Sequence, residues 1–432
     1  MSTVILLVSA VYYLLSVSYL VITYGKYKIC PEFAWVVLQL VMFYGIGKKI
    51  NYQYESDLVL VCLYLLALCC FVISSSFANH IYHPNGSLLK KPNIRNYSIR
   101  FPYVWMILGV SFLICSLYFI RGGGNVFIAS IRAMITGTEY STKYGRMGLL
   151  HTSGTGYVYQ LRIAIIPSLT LYYIFVKKKR IYSYILAILA VIFMLGTGQR
   201  GGFISFMCVC VLAVYYWQVA REERVAEERK RSSAKTYIII VTAAMSLFAL
   251  TTIMNGRVES SGSIISAMLK RIFNDNQVTA IRAFRYVYDE PCQYGRDWYL
   301  MLRKLLPGAP SYTPLAVKVF ALIYGGSTAG TSPPCIWTSA YYNFGVFGVV
   351  LVSSVLGIVT VKLHRKYTRK ELDELSTILY AGKTFLLCYW LVDGPVTLVN
   401  NGFVALCLLE YVMDKIAFKV RIRSGSVKRK TI

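Results

Sequence analysis

Apolar runs of about 20 residues recur along this chain and alternate with short polar connections. A helix of that length crosses a hydrocarbon core about 30 Å thick, and backbone groups inside lipid must form hydrogen bonds within their own segment. We therefore expect an all-α polytopic membrane protein with about 11 transmembrane helices, in a range of roughly 10 to 12. The predicted spans are 3–23, 32–47, 58–77, 101–120, 157–176, 181–195, 203–219, 236–254, 335–361, 376–392 and 396–411.

The composition agrees with a membrane protein and argues against nucleic-acid binding. Apolar residues make up 56% of the chain and charged residues 15%, whereas soluble domains have about 45–50% and about 25%. The net charge of +27 comes mainly from Lys and Arg between apolar runs, where basic residues set topology and meet lipid headgroups. The cysteines show no metal-ligand spacing, and we expect neither a metal nor a cofactor.

The pattern predicts one integral membrane domain over 1–432, with a large extracytoplasmic loop at 255–334 and a basic cytoplasmic tail at 414–432. Basic residues in the short connections favour the side on which the tail lies, and such residues mark the cytoplasm. Because successive spans alternate direction, the loop and the turn at 196–202 then lie outside the cytoplasm. The side of the amino terminus depends on the number of spans in the first third.

The turn from Gly196 to Gly202 is a candidate anion site. Its glycines allow the backbone to approach a ligand closely, and Arg200 offers a guanidinium suited to a phosphate group. The alternative is a tight turn between two spans whose arginine reaches the headgroups.

The loop offers a second set of cations. If 264–288 is one α-helix, Arg271, Asp275, Arg282 and Arg285 fall within about 40° of one line. Such a stripe would attract a diphosphate, with Asp275 orienting one guanidinium or acting as a base. The alternative is a surface helix resting on anionic headgroups, and a break at Asn274 to Asn276 would undo the alignment. Arg257 lies earlier in the same loop.

Three further residues are candidates because of their position. Arg162 and Lys383 lie within predicted spans, and ionisable residues there are costly and commonly functional. The alternatives are that Arg162 reaches the outer interface and that Lys383 pairs with a helix carbonyl. His151, in the connection before the fifth span, is a candidate base or phosphate ligand, or else a solvated loop histidine.

Three stretches resemble the bacterial oligosaccharide repeat unit polymerases, the O-antigen polymerase (Wzy) family. These are Gly198–Gly202, Tyr294–Pro307, and Thr338–Gly348, which contains Tyr342-Asn-Phe-Gly345. The layout of about a dozen spans with one large outer loop also resembles that family. Family members commonly have an acidic residue before the last motif, and this chain has Thr-Ser-Ala at 338–340 instead.

The resemblance implies a GT-C-like glycosyltransferase of lipopolysaccharide biosynthesis that works on the periplasmic face of the cell inner membrane. It would transfer a growing glycan from undecaprenyl diphosphate to the non-reducing end of another lipid-linked repeat unit, with a chain-length regulator protein as partner. Fixed guanidinium donors would stabilise the departing diphosphate, and His151 or Asp275 would supply the base. The predicted diphosphate ligands are Arg162, Arg200, Arg257, Arg271, Arg282 and Arg285, of which Arg200 carries over most directly.

Two other functions remain open. An O-antigen ligase would share the architecture and the arginines but use a different acceptor. A flippase or transporter for lipid-linked oligosaccharide would need charges lining a central cavity and pseudo-symmetric halves, whereas here Lys383 is nearly alone at mid-span and the basic residues gather in one loop.

Overall fold

The computed structural model describes residues 2–82, 97–138, 145, 148–149, 155–177, 181–198, 201–219, 266, 269–306, 308, 311–326, 330–368, 373–389 and 393–428. Within these ranges the chain is helical, with turns and short irregular connections and no β-strand. The all-α class predicted from the apolar runs is confirmed for these residues.

The described residues of the first half of the chain include nine α-helices. They are α1 Ser2–Tyr27, α2 Pro31–Gly47, α3 Glu55–Ile81, α4 Tyr97–Arg121, α5 Val126–Thr136, α6 Thr155–Gln160, α7 Ile166–Lys177, α8 Ile181–Leu195 and α9 Gly201–Val219. A π-helical turn, Leu161–Ile165, joins α6 to α7. The second half contains α10 Asn276–Tyr288, α11 Arg296–Arg303, α12 Leu315–Ile323, α13 Ile336–Thr368, α14 Glu374–Cys388, α15 Val396–Asn400 and α16 Phe403–Lys428.

Several helices are long and apolar enough to cross a membrane. Among the described residues there are five such segments: Ser2–Tyr27, Glu55–Ile81, Pro102–Arg121, Gly156–Phe175 and Ile336–Thr368. Shorter apolar helices occur at Pro31–Gly47, Val126–Thr136, Ile181–Leu195 and Phe206–Val219. The predicted eighth span, 236–254, lies outside the described residues. A membrane protein is thus supported, and the count of eleven spans stays a prediction.

The chain divides into two compact units. Unit 1 comprises Met1–Ser87, Ile265–Lys366 and Leu387–Leu398, and unit 2 comprises Leu88–Ile264, Tyr367–Leu386 and Val399–Ile432.

An aromatic core holds the helices of unit 1 together. Tyr12 of α1 stacks on Phe43 of α2, and Trp35 of α2 stacks on Phe71 of α3, each pair with ring centroids 3.9 Å apart. Trp337, at the start of α13, meets the Trp35 ring edge-on at 6.0 Å, and its indole nitrogen donates to Gln39. Buried aromatic pairs of this kind contribute about 0.5–1.5 kcal/mol beyond their area, so they fix the mutual packing of these helices.

Helix α13 bends sharply near its start. Phe344 has φ −142°, and Gly345 has φ +61° with ψ −150°, a conformation that a residue with a Cβ rarely adopts. The segment before the bend, 336–343, is almost entirely buried in unit 1. Irregular backbone is tolerated at such depth where protein surrounds it. The end of the buried segment 336–343, at the bend, contacts the connection between α10 and α11.

The core of unit 2 contains a stack of tyrosines and one close helix approach. Tyr380 of α14 lies 4.5 Å from both the Tyr216 and the Tyr367 ring. A Cβ on Gly382 would fall 2.7 Å from Leu406 of α16, so a glycine lets these two helices approach.

Two helices differ from their predicted course. The eleventh span, predicted over 396–411, is interrupted at Asn401–Gly402, where Gly402 has φ +91°. The helix after the break continues to Lys428, beyond the predicted end. The stretch predicted as one helix over 264–288 contains a π-helical turn, Arg271–Asp275, which leads into α10.

Candidate active site

Two of the stretches that carry the family resemblance lie against each other in unit 1. The backbone N–H of Gln293 donates to the Tyr342 carbonyl at 2.9 Å, and that of Gly295 donates to the Asn343 carbonyl at 3.1 Å. The Asn343 side chain accepts from the Trp298 N–H at 3.3 Å and donates to the Ser339 carbonyl at 2.9 Å. The buried Asn343 therefore joins the turn before α11 to the first segment of α13.

Gly295 makes this approach possible. It has φ +81°, and a Cβ there would lie 2.5 Å from the Phe344 ring. The preceding Tyr294 also has positive φ, +49°. The left-handed turn brings α11 to the bend in α13.

Asp297, in the first turn of α11, is completely buried next to this contact. One of its oxygens, Oδ1, accepts from the Tyr312 hydroxyl and from the Leu315 N–H. The other oxygen, Oδ2, is buried and has no hydrogen-bond partner among the described residues. Burial, and then the hydrogen bond to Asp297, raise the pKa of Tyr312, so the phenol stays protonated and remains a donor.

Asp393 lies in the short connection between α14 and α15, beside the same cluster. Its Oδ1 accepts from the Gly394 N–H at 2.7 Å, and the Ser339 hydroxyl donates to its carboxylate. Burial, and to a lesser degree the charge of Asp297, raise the pKa of Asp393 to about 7. A carboxyl group with this pKa exchanges a proton near neutral pH, as a general acid or base requires.

The walls around Asp393 leave little free space. The Trp298 indole nitrogen donates to the Ser339 hydroxyl at 2.9 Å. A Cβ on Gly394 would overlap that indole nitrogen and lie 2.9 Å from the Ser339 oxygen. The order of donation is therefore Trp298 to Ser339 to Asp393, and it fixes the carboxylate from one side.

Unit 2 contains a buried guanidinium next to the glycine-rich turn. Arg162, in the π-helical turn, is 1% exposed and donates from Nη1 to the Thr197 hydroxyl at 2.6 Å. Its guanidinium also lies over the Tyr159 ring at 5.3 Å. The sequence singled out Arg162 and the turn separately, and the structure brings them together. The alternative hypothesis was that the Arg162 side chain extends to the outer membrane interface, and burial of the side chain argues against it.

The same turn is held from its other side by the start of α5. The Val126 N–H donates to the Gly196 carbonyl at 2.8 Å, and the Asn125 side chain caps α5 and donates to the Ile192 carbonyl. A Cβ on Gly196 would overlap Phe119 and lie 2.8 Å from Asn125 Nδ2. The backbone leading toward Arg200 is thus fixed through Gly198.

Arg285 in α10 is held by an ion pair. Its Nε and Nη2 donate to the two oxygens of Asp57 at 2.8 and 2.7 Å, and its guanidinium lies 4.0 Å above the Tyr54 ring. Asp57 is buried and also accepts from the Asn51 N–H. This arrangement secures α10 to the start of α3. Diphosphate binding by Arg285, which stays a prediction, would compete with Asp57.

Two other residues predicted in the loop differ in their exposure. Arg282 is exposed and Asp275 is half-buried. The backbone of Arg271 lies in the π-helical turn. A π turn holds more residues than an α turn, so Arg271 does not keep the predicted alignment with the arginines of α10. Arg200, Arg257 and His151 lie outside the described residues, and their roles stay predictions.

Lys383 has a buried carboxylate partner that the sequence reading missed. Its ammonium group donates to Glu410 Oε2, and Glu410 Oε1 accepts from the Tyr367 hydroxyl at 2.9 Å. Lys383 is 2% exposed and Glu410 3%. The predicted alternative, a helix carbonyl, is therefore not what neutralises Lys383.

Among the described residues there is no group of three or more His, Cys, Asp or Glu side chains placed to hold a metal ion. The sequence reading also missed Asp297, Ser339 and Asp393. Asp297 lies inside a quoted motif, and the signal available for Asp393 was a lone acid in an Asp-Gly-Pro turn between two apolar runs. The chain matches no protein-family model, no curated protein and no solved structure.

Proposed function

We propose that this protein is a polysaccharide polymerase of the bacterial inner membrane. It transfers a growing glycan from undecaprenyl diphosphate to another lipid-linked repeat unit at the outer face. One observation carries the proposal. Two of the three stretches on which the resemblance rests lie against each other beside two carboxyl groups, Asp297 in the first turn of α11 and Asp393 in the connection between α14 and α15.

The reaction separates charge in a way that suits these residues. The acceptor hydroxyl loses a proton, and negative charge develops on the departing diphosphate. Arginine donors stabilise that charge. Among the predicted arginines, the side chains of Arg162, Arg282 and Arg285 belong to the part of the chain that the structure describes. Arg282 is exposed. Arg162 supports the turn that precedes Arg200.

The first test uses the motif contact. In a strain that lacks the gene, complementation with Trp298→Phe removes the hydrogen bond to Ser339 and keeps an aromatic side chain. We expect markedly shorter glycan ladders than with the wild type. Tyr299→Phe is the matched control, because Tyr299 is the neighbouring aromatic residue and is exposed. Wild-type ladders from Trp298→Phe would remove this contact from the active site.

The second test uses the buried arginine. Arg162→Ala should abolish long chains, and Arg162→Lys should restore little, because lysine lacks the planar guanidinium. Arg132→Ala, on the exposed side of α5, is the control. Long chains from Arg162→Ala would contradict a role for this residue.

The ladder also separates the alternatives. Loss of a polymerase leaves core plus a single repeat unit, whereas loss of a ligase or a flippase leaves core only. A deletion strain with core only would redirect the assignment to ligase or transport.

A further inference from the structure

The cluster in unit 1 supports a more specific role for Asp393, which rests on the polymerase function proposed above. We propose that the Asp393 carboxylate is the general base that takes the proton from the acceptor hydroxyl, with Ser339 and Asp297 as positioning residues. The sequence-based candidates for this base were His151 and Asp275. His151 lies outside the described residues and Asp275 is half-buried, whereas Asp393 lies beside the completely buried Asp297.

Geometry is the first support. Asp393 is bound by the Gly394 N–H and the Ser339 hydroxyl, and the Trp298 indole holds that hydroxyl in place. Gly394 leaves no room for a larger residue beside the indole. The carboxylate is therefore preorganised and keeps partial access to solvent, as a base that meets a substrate hydroxyl requires.

The buried neighbour is the second and independent support. Asp297 is completely buried, and its Oδ2 has no hydrogen-bond partner among the described residues. Burying an unpaired carboxylate oxygen is costly, and packing alone does not explain this cost. The unpaired oxygen leaves the Asp297 carboxylate incompletely satisfied beside Asp393, as expected where polar groups serve a reaction more than stability.

The charged surroundings of the pair are defined. The charge of Asp297 acts on Asp393 and raises its pKa, and the Ser339 hydroxyl is a polar group that α13 contributes. Around Asp297 lie the Tyr312 phenol and the Lys318 ammonium group, and Arg296 acts on Tyr312. Removing the negative charge of Asp297 therefore favours the ionised form of Asp393.

The step balances as follows. The acceptor oxygen forms a bond to the anomeric carbon of the donor glycan, and the bond from that carbon to the diphosphate oxygen breaks. The hydroxyl proton passes to Asp393, and the bonding electrons leave with the polyprenyl diphosphate. Asp393 then returns its proton to water. No metal, oxidant or further co-reactant is needed for this balance.

The test is the pH dependence of polymerisation by purified protein on a synthetic lipid-linked repeat unit. Because the base acts ionised, the wild-type rate should rise with pH through an apparent pKa near 7 and then level off. Asp393→Asn should lower turnover by about 10²–10⁴-fold while the unfolding midpoint stays close to that of the wild type.

Two positioning variants should shift the profile in opposite directions. Asp297→Asn removes a negative charge and keeps an acceptor for Tyr312, so the rise should move to lower pH. Ser339→Ala removes the hydrogen bond that favours the carboxylate, so the rise should move to higher pH. A purely structural role would lower the rate without moving the profile, and either variant with an unshifted profile would overturn the proposal.

An infrared titration separates this inference from the proposed function. The carbonyl band of protonated Asp393, identified as the band missing in Asp393→Asn, should disappear with a midpoint near pH 7. If the wild type polymerises and Asp393→Asn does so equally well, the base assignment fails and the polymerase stands. If the wild type makes no polymer although the infrared midpoint is as expected, the proposed function fails, and with it the base assignment.

Discussion

Lys383 and Glu410 form a buried ion pair in unit 2, and we predict that removing one partner destabilises the protein more than removing both. Lys383→Met leaves the Glu410 carboxylate with the Tyr367 hydroxyl and without its cation. Glu410→Gln leaves a buried ammonium group. The double variant replaces both charges and keeps an acceptor for Tyr367.

The expected magnitude follows from burial. Both side chains are nearly inaccessible, so water does not compensate for a lost partner. Removing one member of such a pair costs about 3–5 kcal/mol, whereas replacing the whole pair is often close to neutral. We expect the single variants to lower the folding equilibrium constant about a hundredfold or more, and the double variant to fall within about 1 kcal/mol of the wild type.

Equilibrium unfolding of the purified protein in mixed detergent and SDS measures these differences. The wild type and the three variants of the cycle give the coupling energy, which on these figures should reach about 5 kcal/mol or more. Lys415→Met is the matched control, because Lys415 is exposed on the same helix as Glu410 and should change stability by at most about 0.5 kcal/mol. A Lys383→Met protein as stable as the wild type, or a double variant as unstable as the two single losses added together, would refute the reasoning.

Two further predictions concern the loop helix and the glycine-rich turn. Arg285→Ala leaves the buried Asp57 carboxylate with the Asn51 backbone N–H as its remaining donor, and should lower the free energy of unfolding by about 1.5–3 kcal/mol. In an Asp57→Asn background the same change should cost little. An equal loss in both backgrounds would mean that the pair is not coupled. Gly196→Ala should displace the turn and shorten glycan chains, because its Cβ would overlap Phe119. Gly109→Ala, with nothing within 4 Å of its Cβ, is the control and should give wild-type ladders. Normal ladders from Gly196→Ala would show that the turn tolerates displacement.

Hydropathy placed the helices well because lipid imposes a simple rule on them. A segment such as 58–77 has to be helical wherever it packs, and α3 covers it. The apolar stretch at 126–136 also forms a helix, α5, with Asn125 as its cap. This rule does not predict where a helix is broken or bent. The break at Asn401–Gly402 and the bend at Gly345 depend on packing partners remote in sequence, which apolar periodicity does not contain.

The polar partners were harder to predict for a related reason. Lys383 stood out as a charge in a span, but Glu410 lies near the end of a different predicted span, 396–411, and contacts Lys383 only in the folded unit. Asp57 likewise pairs with Arg285 across 228 positions. Asp393 looked like a turn residue, and its raised pKa comes from burial beside Asp297. Single residues revealed which charges are costly, but only the fold revealed what compensates them.

The most direct test of the central claim is polymerisation by the purified protein on a synthetic repeat unit linked to polyprenyl diphosphate, with the released lipid diphosphate counted. We predict a ladder of products in which each new glycosidic bond releases one polyprenyl diphosphate, with no nucleotide sugar present. Repeat units that stay single while the wild-type protein is folded and pure would contradict the account.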